Sequence, residues 1–268
     1  MTTKRLLVIA GSDSGGGAGM QADIKTACAF GVYAMTAVTA VTAQDTVAVH
    51  SIHPMPASLV RDQIACCLAD IGADAIKIGM LGTAEIAEAV AAILERDARG
   101  IPVVLDPVLA STSGTKFLDE RGMGVLRERL IPLATLFTPN IPEAETLTGM
   151  PASNSGHMVA AATRLRELGA QAVLVKGGHS ASEMIQDVLV WEGGTETFDF
   201  PRIDTRNTHG TGCTIATAIA CGVAEGLSLP LATGRARDFV QLAIQEAQGF
   251  GHGRGSLNHL HRFKMDSG

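Results

Sequence analysis

The sequence has 268 residues, of which 46% are hydrophobic, 18% charged and 4% aromatic. This length suits one large α/β domain or two small ones, and the scarcity of aromatic residues means that Ala, Val, Ile and Leu must build the core. The formal net charge is −6, and no run of Lys or Arg occurs. This balance argues against a general nucleic-acid or anionic-membrane surface, so we expect any phosphate to be bound locally.

The N-terminal segment predicts a first strand. Its apolar run after Lys4 and Arg5 is about half as long as that of a signal peptide, and no stretch reaches the roughly 18 apolar residues that cross a bilayer. The cysteines lack paired metal-ligand spacing and fit reduced thiols better than a disulfide framework. They are Cys28, Cys66, Cys67, Cys213 and Cys221. We therefore expect a soluble, cytoplasmic protein without a membrane partner.

Strand-like runs recur along the first two thirds of the chain. They cover residues 6–10, 34–43, 75–79, 102–106, 135–139 and 172–176. Between most of them lie helical patterns, with apolar residues at three- and four-residue spacing and charges on the other face. These patterns cover residues 20–30, 56–71, 84–98, 120–130 and 157–169. The alternation predicts an α/β fold in which crossover helices join parallel strands.

The pattern changes after Lys176. Residues 184–201 contain two strand-like runs joined around Gly193 and Gly194, which predicts a hairpin. Helices are predicted from about 212 to 225 and from about 230 to 247. No repeat, low-complexity segment or long linker divides the chain, so we expect a single domain over residues 1–268. In an open parallel sheet, ligands bind beyond the carboxyl ends of the strands, which directs attention to the residues that follow each strand.

Residues 206–215, with the sequence RNTHGTGCTI, carry the strongest functional signal. An apolar, alanine-rich helix is predicted to follow, and the amides of Gly210, Thr211, Gly212 and Cys213 would converge at its positive end. Glycines at 210 and 212 let the backbone approach a phosphate closely. We expect the Cys213 thiol to be more acidic than a free cysteine and to lie beside a transferred phosphoryl group. The alternative is a glycine-rich turn that only caps a core helix.

A second glycine-rich segment, residues 11–23, follows the first predicted strand. A dinucleotide-binding fold would also place glycines here, but their spacing is loose and no acidic residue closes the second strand to hold a ribose. We expect instead that the glycines leave room for a flat substrate, toward which Asp23 projects. The alternative for Asp23 is an ordinary carboxylate at a helix N-terminus.

Three further residues suggest a heteroaromatic ligand. Gln44 ends a strand and offers a donor and an acceptor on one planar group, which suits the ring edge of an aminopyrimidine. Met80 and Val108 are candidates for apolar contacts to the ring faces. Either residue could equally belong to the core, as methionine and valine after strands usually do.

Two carboxylates are candidates for a magnesium site. Asp106 ends one predicted strand, and Glu143 closes the segment Asn140–Glu143 after the next. Because Mg²⁺ keeps much of its hydration shell, two carboxylates at strand ends could hold it through water molecules. Glu143 could instead be a first-turn helix residue after Pro142.

Lys176 ends a strand beside two glycines. A lysine there can reach nucleotide phosphates as a point charge, although it could also be a surface lysine. His179 and His209 are expected only to line the pocket, since neither has the spacing of a metal pair.

Together these residues fit phosphoryl transfer, which needs an anion cradle, magnesium, a cation and a group near the acceptor hydroxyl. The sequence contains neither a Walker A pattern nor the catalytic motifs of protein kinases, so both of those classes are excluded. Two rival interpretations are a redox enzyme that uses the first glycine segment and a pyrimidine-binding regulator without catalysis. The first leaves the segments around Asn140 and Cys213 unexplained. The second leaves the filled catalytic positions without a purpose.

The motifs, taken in order, resemble those of the hydroxymethylpyrimidine/phosphomethylpyrimidine kinases of thiamine biosynthesis. They are AGSDSGGGAGMQADIKT, TAVTAQDT, KIGML, LDPVL with TSG, TPNIPEAE, VKGGH and NTHGTGCT. The resemblance runs from Leu6 to about His261. It implies the ribokinase-like fold, with three α/β/α layers around a mostly parallel sheet, the use of ATP and Mg²⁺, and usually a homodimer.

The same resemblance implies two successive reactions. The hydroxymethyl group of 4-amino-5-hydroxymethyl-2-methylpyrimidine is phosphorylated first, and the monophosphate is then converted to the diphosphate. A pyridoxal or pyridoxine kinase remains the alternative, because the rings and hydroxymethyl arms are alike.

Carried over by position, the resemblance assigns roles to individual residues. The pyrimidine pocket would consist of Gly11, Asp23, Gln44, Met80 and Val108. The phosphate site would consist of Lys176, Thr208 and the loop Gly210, Thr211, Gly212 and Cys213. Asn140 and Glu143 match an Asn-x-x-Glu element that organises magnesium and phosphate. Cys213 stands where many sugar kinases of this superfamily have an aspartate base, so it would either take the hydroxyl proton or act through its backbone amide.

Overall fold

Strands and helices alternate along most of the chain, as the sequence predicts. The computed structural model describes residues 2–110, 117–179 and 182–263. The strands within these ranges are β1 (Arg5–Ser12), β2 (Tyr33–Gln44), β3 (Val49–Pro54), β4 (Ala75–Ile78), β5 (Val103–Leu105), β6 (Leu136–Phe137), β7 (Val173–Val175), β8 (Met184–Trp191) and β9 (Gly194–Pro201).

The helices are α1 (Gly19–Ala29), α2 (Ala57–Cys66), α3 (Ala84–Asp97), α4 (Glu120–Val125), α5 (Ile131–Leu133), α6 (Ile141–Thr148), α7 (Ser155–Glu167), α8 (Thr211–Ala224) and α9 (Leu229–Gln245). A π-helical turn, Cys67–Ile71, extends α2, and a second one, Leu126–Leu130, joins α4 to α5. None of the described helices is long and apolar enough to cross a bilayer.

All the described strands belong to one sheet, in the order β3-β2-β1-β4-β5-β6-β7-β8-β9. The strands from β2 to β7 in this order run parallel. β3 pairs antiparallel with β2 at one edge, and the β8–β9 hairpin pairs antiparallel with β7 at the other. The predicted mostly parallel sheet and the predicted hairpin are therefore confirmed. β3 was not predicted, because it is an edge strand whose residues are all half-buried or exposed and it lacks the apolar signal of the inner strands.

Alternating side chains of the inner strands give the sheet two apolar faces. On β1, Leu7 and Ile9 join the core that packs against α2, α3, α4, α6 and α7. Leu6 and Val8 join the opposite core, which packs against α1, α8 and α9. The outcome is the expected three-layer α/β/α architecture. It places the N-terminus of α8 at the edge of the sheet where the parallel strands end.

Candidate active site

The carboxyl ends of the parallel strands meet at one edge of the sheet, and the candidate residues lie just beyond them. Gln44 is the last residue of β2, and Asp106 directly follows β5. Lys176 directly follows β7 and forms a parallel bridge with Asn140, which precedes α6. The first turn of α8 reaches the same place, because a Cβ added to Gly212 would lie 3.4 Å from Lys176 Nζ and 3.6 Å from Asp106 Oδ2. The fold thus gathers at one site residues that are far apart in the sequence.

The turn before α8 depends on a glycine. Gly210 caps the helix with φ 86°, in the left-handed region that most residues avoid. A Cβ at this position would also overlap the Gly17 carbonyl oxygen of the first glycine segment. The turn is closed by Thr211, whose Oγ1 donates to the Thr208 carbonyl at 2.7 Å. Thr208, which was expected to contact phosphate, therefore contributes its carbonyl to the geometry of the loop.

Two amides at the start of α8 remain available for an anion. Thr211 N–H donates to the Thr208 carbonyl, and Thr214 N–H donates to the Gly210 carbonyl. The amides of Gly212 and Cys213 have no acceptor in the part of the chain that the structure describes. Because these N–H groups lie at the positive end of a 14-residue helix, they form a preorganised site for a phosphoryl group.

Lys176 supplies a buried positive charge next to these amides. Its Nζ donates to Asp106 Oδ1 at 2.6 Å, and Thr138 Oγ1 lies 3.3 Å from the same oxygen. Burial by itself would lower the pKa of Lys176, but Asp106 and Glu143 outweigh it and raise that pKa above its usual value. The lysine is therefore a permanent cation at neutral pH, as binding of phosphate requires.

Asn140 and Glu143 form a capping box at the N-terminus of α6. Asn140 Oδ1 accepts the Glu143 N–H at 2.9 Å, and Glu143 Oε2 accepts the Asn140 N–H at 2.8 Å. Glu143 Oε1 lies 3.4 Å from the Leu109 amide. Burial raises the pKa of Glu143, although Lys176 opposes the shift. Glu143 is thus a first-turn helix residue, as the alternative interpretation held, and its carboxylate also faces the cluster of Asp106 and Lys176.

Asp23 occupies a different environment from the expected one. Its side chain is fully buried, and its oxygens accept hydrogen bonds from Lys77 Nζ at 2.8 and 3.0 Å and from Thr217 Oγ1 at 2.7 Å. Lys77 is equally buried. Instead of projecting toward a substrate, the carboxylate neutralises Lys77 inside the fold. Its partner Thr217 lies on α8, one helical turn after Cys213.

The expectation that the Cys213 thiol is unusually acidic is wrong for this structure. Burial raises the pKa of Cys213 to about 11, and the nearby carboxylates of Asp23 and Asp106 act in the same direction. Lys77 and a hydrogen bond from the Gly19 amide lower it only in part. The side chain keeps some contact with solvent, but the crowded apolar and acidic surroundings outweigh the helix N-terminus. Cys213 is therefore a neutral thiol at pH 7.

Gln44 belongs to a polar chain that also contains His209 and Asp13. His209 Nε2 lies 2.9 Å from Asp13 Oδ2 and 3.4 Å from Gln44 Nε2. Because a ring nitrogen that donates to Asp13 cannot accept from Gln44, the side-chain amide of Gln44 keeps a donor for a ligand. Asp13 also accepts the amides of Gly17 and Ala18, at 3.1 and 2.8 Å. Burial opposes ionisation of Asp13, but His209 and the amides of Ala18 and Gly15 hold its pKa below the usual value.

The remaining pocket candidates lie close to the same edge. A Cβ on Gly11 would overlap the Met80 methyl group, so the glycine allows Met80 to lie across the end of β1. Thr39 Oγ1 fixes Met80 by donating to its carbonyl at 2.6 Å. Val108 has φ 36°, which is unusual for a β-branched residue. Such strain is characteristic of functional sites.

Two charged residues near the site were not singled out from the sequence. Lys77 was a visible signal, since it is a charged residue inside an otherwise apolar strand, β4. Asp13 was hidden among the glycines of the first loop, and only the fold shows its contact with His209. The TSG triplet, residues 112–114, lies outside the described residues.

Comparison with known proteins agrees with this geometry. A family model described as phosphomethylpyrimidine kinase matches residues 13–258. The chain belongs to this family. It is a phosphotransferase with the ribokinase-like fold, as the resemblance implied.

Three proteins illustrate the relationship. The hydroxymethylpyrimidine/phosphomethylpyrimidine kinase of Haemophilus influenzae is 44% identical over 96% of both chains. The thiamine biosynthesis bifunctional protein ThiED of Geobacter sulfurreducens is 47% identical over 95% of this chain, which spans 52% of that longer protein. The crystal structure of an ADP complex of Bacillus subtilis pyridoxal kinase is 36% identical, with a TM-score of 0.89 over 97% of this chain and 98% of that one.

Proposed function

We propose that this kinase transfers the γ-phosphoryl group of ATP to the hydroxymethyl group of 4-amino-5-hydroxymethyl-2-methylpyrimidine, and then a second one to the resulting monophosphate. The proposal is carried by the two unpaired amides of Gly212 and Cys213, which lie beside the Lys176–Asp106 pair. Such an arrangement stabilises the charge of a transferring phosphoryl group without covalent chemistry.

The donor set around Asp106 fits a magnesium ion bound with ATP. Lys176 and Thr138 contact Asp106 Oδ1, while Oδ2 accepts no hydrogen bond from the described residues. Each oxygen of Glu143 faces one backbone amide and keeps further lone pairs. No group of three or more metal-ligating side chains occurs in the described ranges, so water and phosphate oxygens would complete the shell, as Mg²⁺ prefers. When bound, the ion would neutralise phosphate charge.

Asn140, Lys176, Thr208 and the loop from Gly210 to Cys213 would hold the ATP phosphates. The ADP complex of the Bacillus subtilis pyridoxal kinase supports the use of an adenine nucleotide. Gly11, Gln44, Met80 and Val108 would surround the pyrimidine. Asp23 would act indirectly, through Lys77.

In the first step the hydroxyl oxygen attacks the γ-phosphorus, the bond from that phosphorus to ADP breaks, and the hydroxyl proton is released. A neutral thiol cannot accept this proton, which favours the role of Cys213 as an amide donor over its role as a base. A loose transition state also lets the acceptor lose its proton late.

Pyridoxal is the competing acceptor. The family model and the higher identity to the hydroxymethylpyrimidine/phosphomethylpyrimidine kinases favour the pyrimidine. ADP production from Mg-ATP with the hydroxymethylpyrimidine, its monophosphate or pyridoxal tests this choice. We expect both pyrimidines to be turned over with a kcat/KM at least about tenfold above that of pyridoxal, which corresponds to about 1.4 kcal/mol. Preference for pyridoxal would instead indicate vitamin B6 salvage.

The assembly is part of the same proposal. We expect one domain over residues 1–268, a homodimer as is usual in the resembled family, and no nucleic-acid partner. Light scattering of the purified protein measures the dimer directly, and a monomer at micromolar concentration would contradict it.

A further inference from the structure

A cavity of about 330 Å³ lies next to Gln44 and His209, and two arginines are part of its wall. Arg206, Arg254 and His252 line it together with His209. In a chain whose net charge is −6, two arginines in one cavity wall are a local feature that suits an anionic ligand.

The two arginines of this cavity form no ion pair with the described part of the protein. Arg206 and Arg254 have no ion-pair partner among the described residues. Asp45 is the carboxylate in the cavity wall. It is occupied by His50 at 2.8 Å and by the amides of Val47 and Ala48. The side-chain hydrogen bond from His50 and these amides lower the pKa of Asp45 to about 2, and they direct its carboxylate toward its own loop instead of toward either arginine.

The loop that carries Arg254 is hydrogen-bonded both to the segment after β2 and to the segment before α8. Arg254 N–H donates to the Thr46 carbonyl at 2.8 Å, and Gly253 N–H donates to Thr46 Oγ1 at 3.1 Å. On the other side, His209 N–H donates to the Gly255 carbonyl at 3.0 Å. The backbone of Arg254 is therefore bound to Thr46, two residues after the end of β2. The backbone of the neighbouring Gly255 is bound to His209, one residue before the phosphate loop.

The charge of Arg254 also acts across the site. Burial lowers the pKa of His179, and the positive charges of Lys176, Arg254 and Arg202 lower it further. Arg254 is thus close enough to the Lys176 loop to influence a group there, although its backbone belongs to the C-terminal segment.

The two steps differ in the charge of the acceptor and in whether it must lose a proton. The hydroxymethyl acceptor is neutral and must lose a proton. The monophosphate acceptor is mainly a dianion at pH 7, so its oxygen attacks the γ-phosphorus without losing a proton, and the bond to ADP breaks. Two anionic phosphates must then approach each other, which requires additional positive charge.

The pyrimidine substrate carries its amino group next to the arm that becomes phosphorylated. The amino and hydroxymethyl groups occupy neighbouring ring carbons, 4 and 5. If Gln44 binds the amino edge of the ring, as proposed above, the phosphate on the neighbouring carbon would lie near His209 and the cavity that contains Arg206 and Arg254.

We propose that Arg254, assisted by Arg206, binds the phosphate of the monophosphate acceptor and thereby supports the second phosphorylation. This inference rests on the proposed two-step function. It assigns a phosphate-monoester subsite to Arg254, which lies outside the motifs, and to Arg206, which begins the segment 206–215 but has no role in the phosphate loop.

Arg254→Gln and Arg206→Gln test the proposal, with Arg99→Gln as the control. Arg99 is exposed and follows α3, so it lies near the amino ends of the parallel strands, whereas the site lies at their carboxyl ends. kcat/KM is measured for the hydroxymethylpyrimidine and for its monophosphate at saturating Mg-ATP. Loss of a charge-assisted hydrogen bond predicts a decrease of about tenfold or more for the monophosphate. For the unphosphorylated pyrimidine we expect a change of about twofold or less. Arg254→Lys should recover part of the loss.

Product analysis provides a second readout, because Arg254→Gln should accumulate monophosphate when it is supplied with the unphosphorylated pyrimidine. An equal decrease for both acceptors, an increase of KM for ATP in both reactions, or no decrease in either arginine variant would overturn the proposal. If the unaltered protein phosphorylates neither pyrimidine, the proposed function fails instead, and the two failures are distinguishable. Circular dichroism shows whether each variant is folded. If Arg254→Gln does not fold, Arg206→Gln still tests the subsite.

Discussion

Replacing Lys77 by Met should destabilise the protein more than any exchange of a surface charge. Lys77 Nζ lies 2.8 and 3.0 Å from the two oxygens of Asp23, and neither side chain has measurable exposure. Removing the lysine leaves a carboxylate without a counter-charge in the core, held only by the hydroxyl of Thr217. Breaking a buried pair in this way costs about 3–5 kcal/mol. This is a large share of the roughly 5–15 kcal/mol by which a domain is stable.

Urea unfolding at pH 7 measures the loss, with Arg121→Met as the control. Arg121 pairs with Glu85 at 2.7 Å on the surface, where ion pairs are worth about 0–1 kcal/mol. The double variant Lys77→Met/Asp23→Leu removes both charges and should recover most of the stability. A loss below about 1 kcal/mol for Lys77→Met would refute the reasoning. So would a double variant no more stable than the single one.

The pH dependence of Lys77→Met has a definite sign. Without its partner, Asp23 has a folded-state pKa raised further by burial, in the direction already present. The folded state then binds more protons than the unfolded state between the two pKa values, so stability falls as pH rises through that window. The loss in free energy of unfolding caused by Lys77→Met should therefore be smaller at pH 5 than at pH 8.

Four further predictions concern the phosphate site, which consists of the loop before α8 and Lys176. Cys213→Ala should lower kcat for the hydroxymethylpyrimidine by well under tenfold if only the amide acts, and a larger loss in steady-state turnover would restore the base role. Because its pKa is raised to about 11, the Cys213 thiol should react slowly with iodoacetamide at pH 7 and faster up to about pH 11, whereas a rate already at its plateau at pH 8 would contradict this environment. Lys176→Met should abolish measurable ADP production while the protein stays folded by circular dichroism, and substantial residual turnover would exclude a role at the phosphates. Gly210→Ala should unfold in less urea than the unaltered protein, since the left-handed φ and the Gly17 carbonyl both exclude a Cβ; an unchanged midpoint would contradict the geometry.

The sequence predicts what depends on local pattern. The inner strands alternate or are uniformly apolar, so β1, β4 and β7 were predicted to within two residues at each end. The start of α8 was placed one residue late, at 212 instead of Thr211. β3 was missed because pairing of an exposed edge strand is decided by its neighbour, β2.

The environment of a side chain is less predictable, because it depends on elements that are distant in the sequence. Asp23 meets Lys77, which is 54 residues away, and Thr217, which is 194 residues away. The acidity of Cys213 was inferred from the helix N-terminus alone, but burial and two carboxylates outweigh that effect. Glu143 shows the intermediate case, in which the capping box was readable from the Asn-x-x-Glu spacing and the contact with the Asp106 cluster was not.

Val108 offers a test of whether the strain at the site serves binding. Its φ of 36° lies in a region that a β-branched residue adopts at a cost of about 1–3 kcal/mol, whereas asparagine tolerates it. Val108→Asn should therefore unfold at equal or higher urea concentration than the unaltered protein, although it loses some apolar burial. Its KM for the hydroxymethylpyrimidine should rise, because a polar group replaces an apolar contact to the ring. If the variant is less stable and binds the pyrimidine equally well, the strain at Val108 has no role in recognition and the residue acts only in packing.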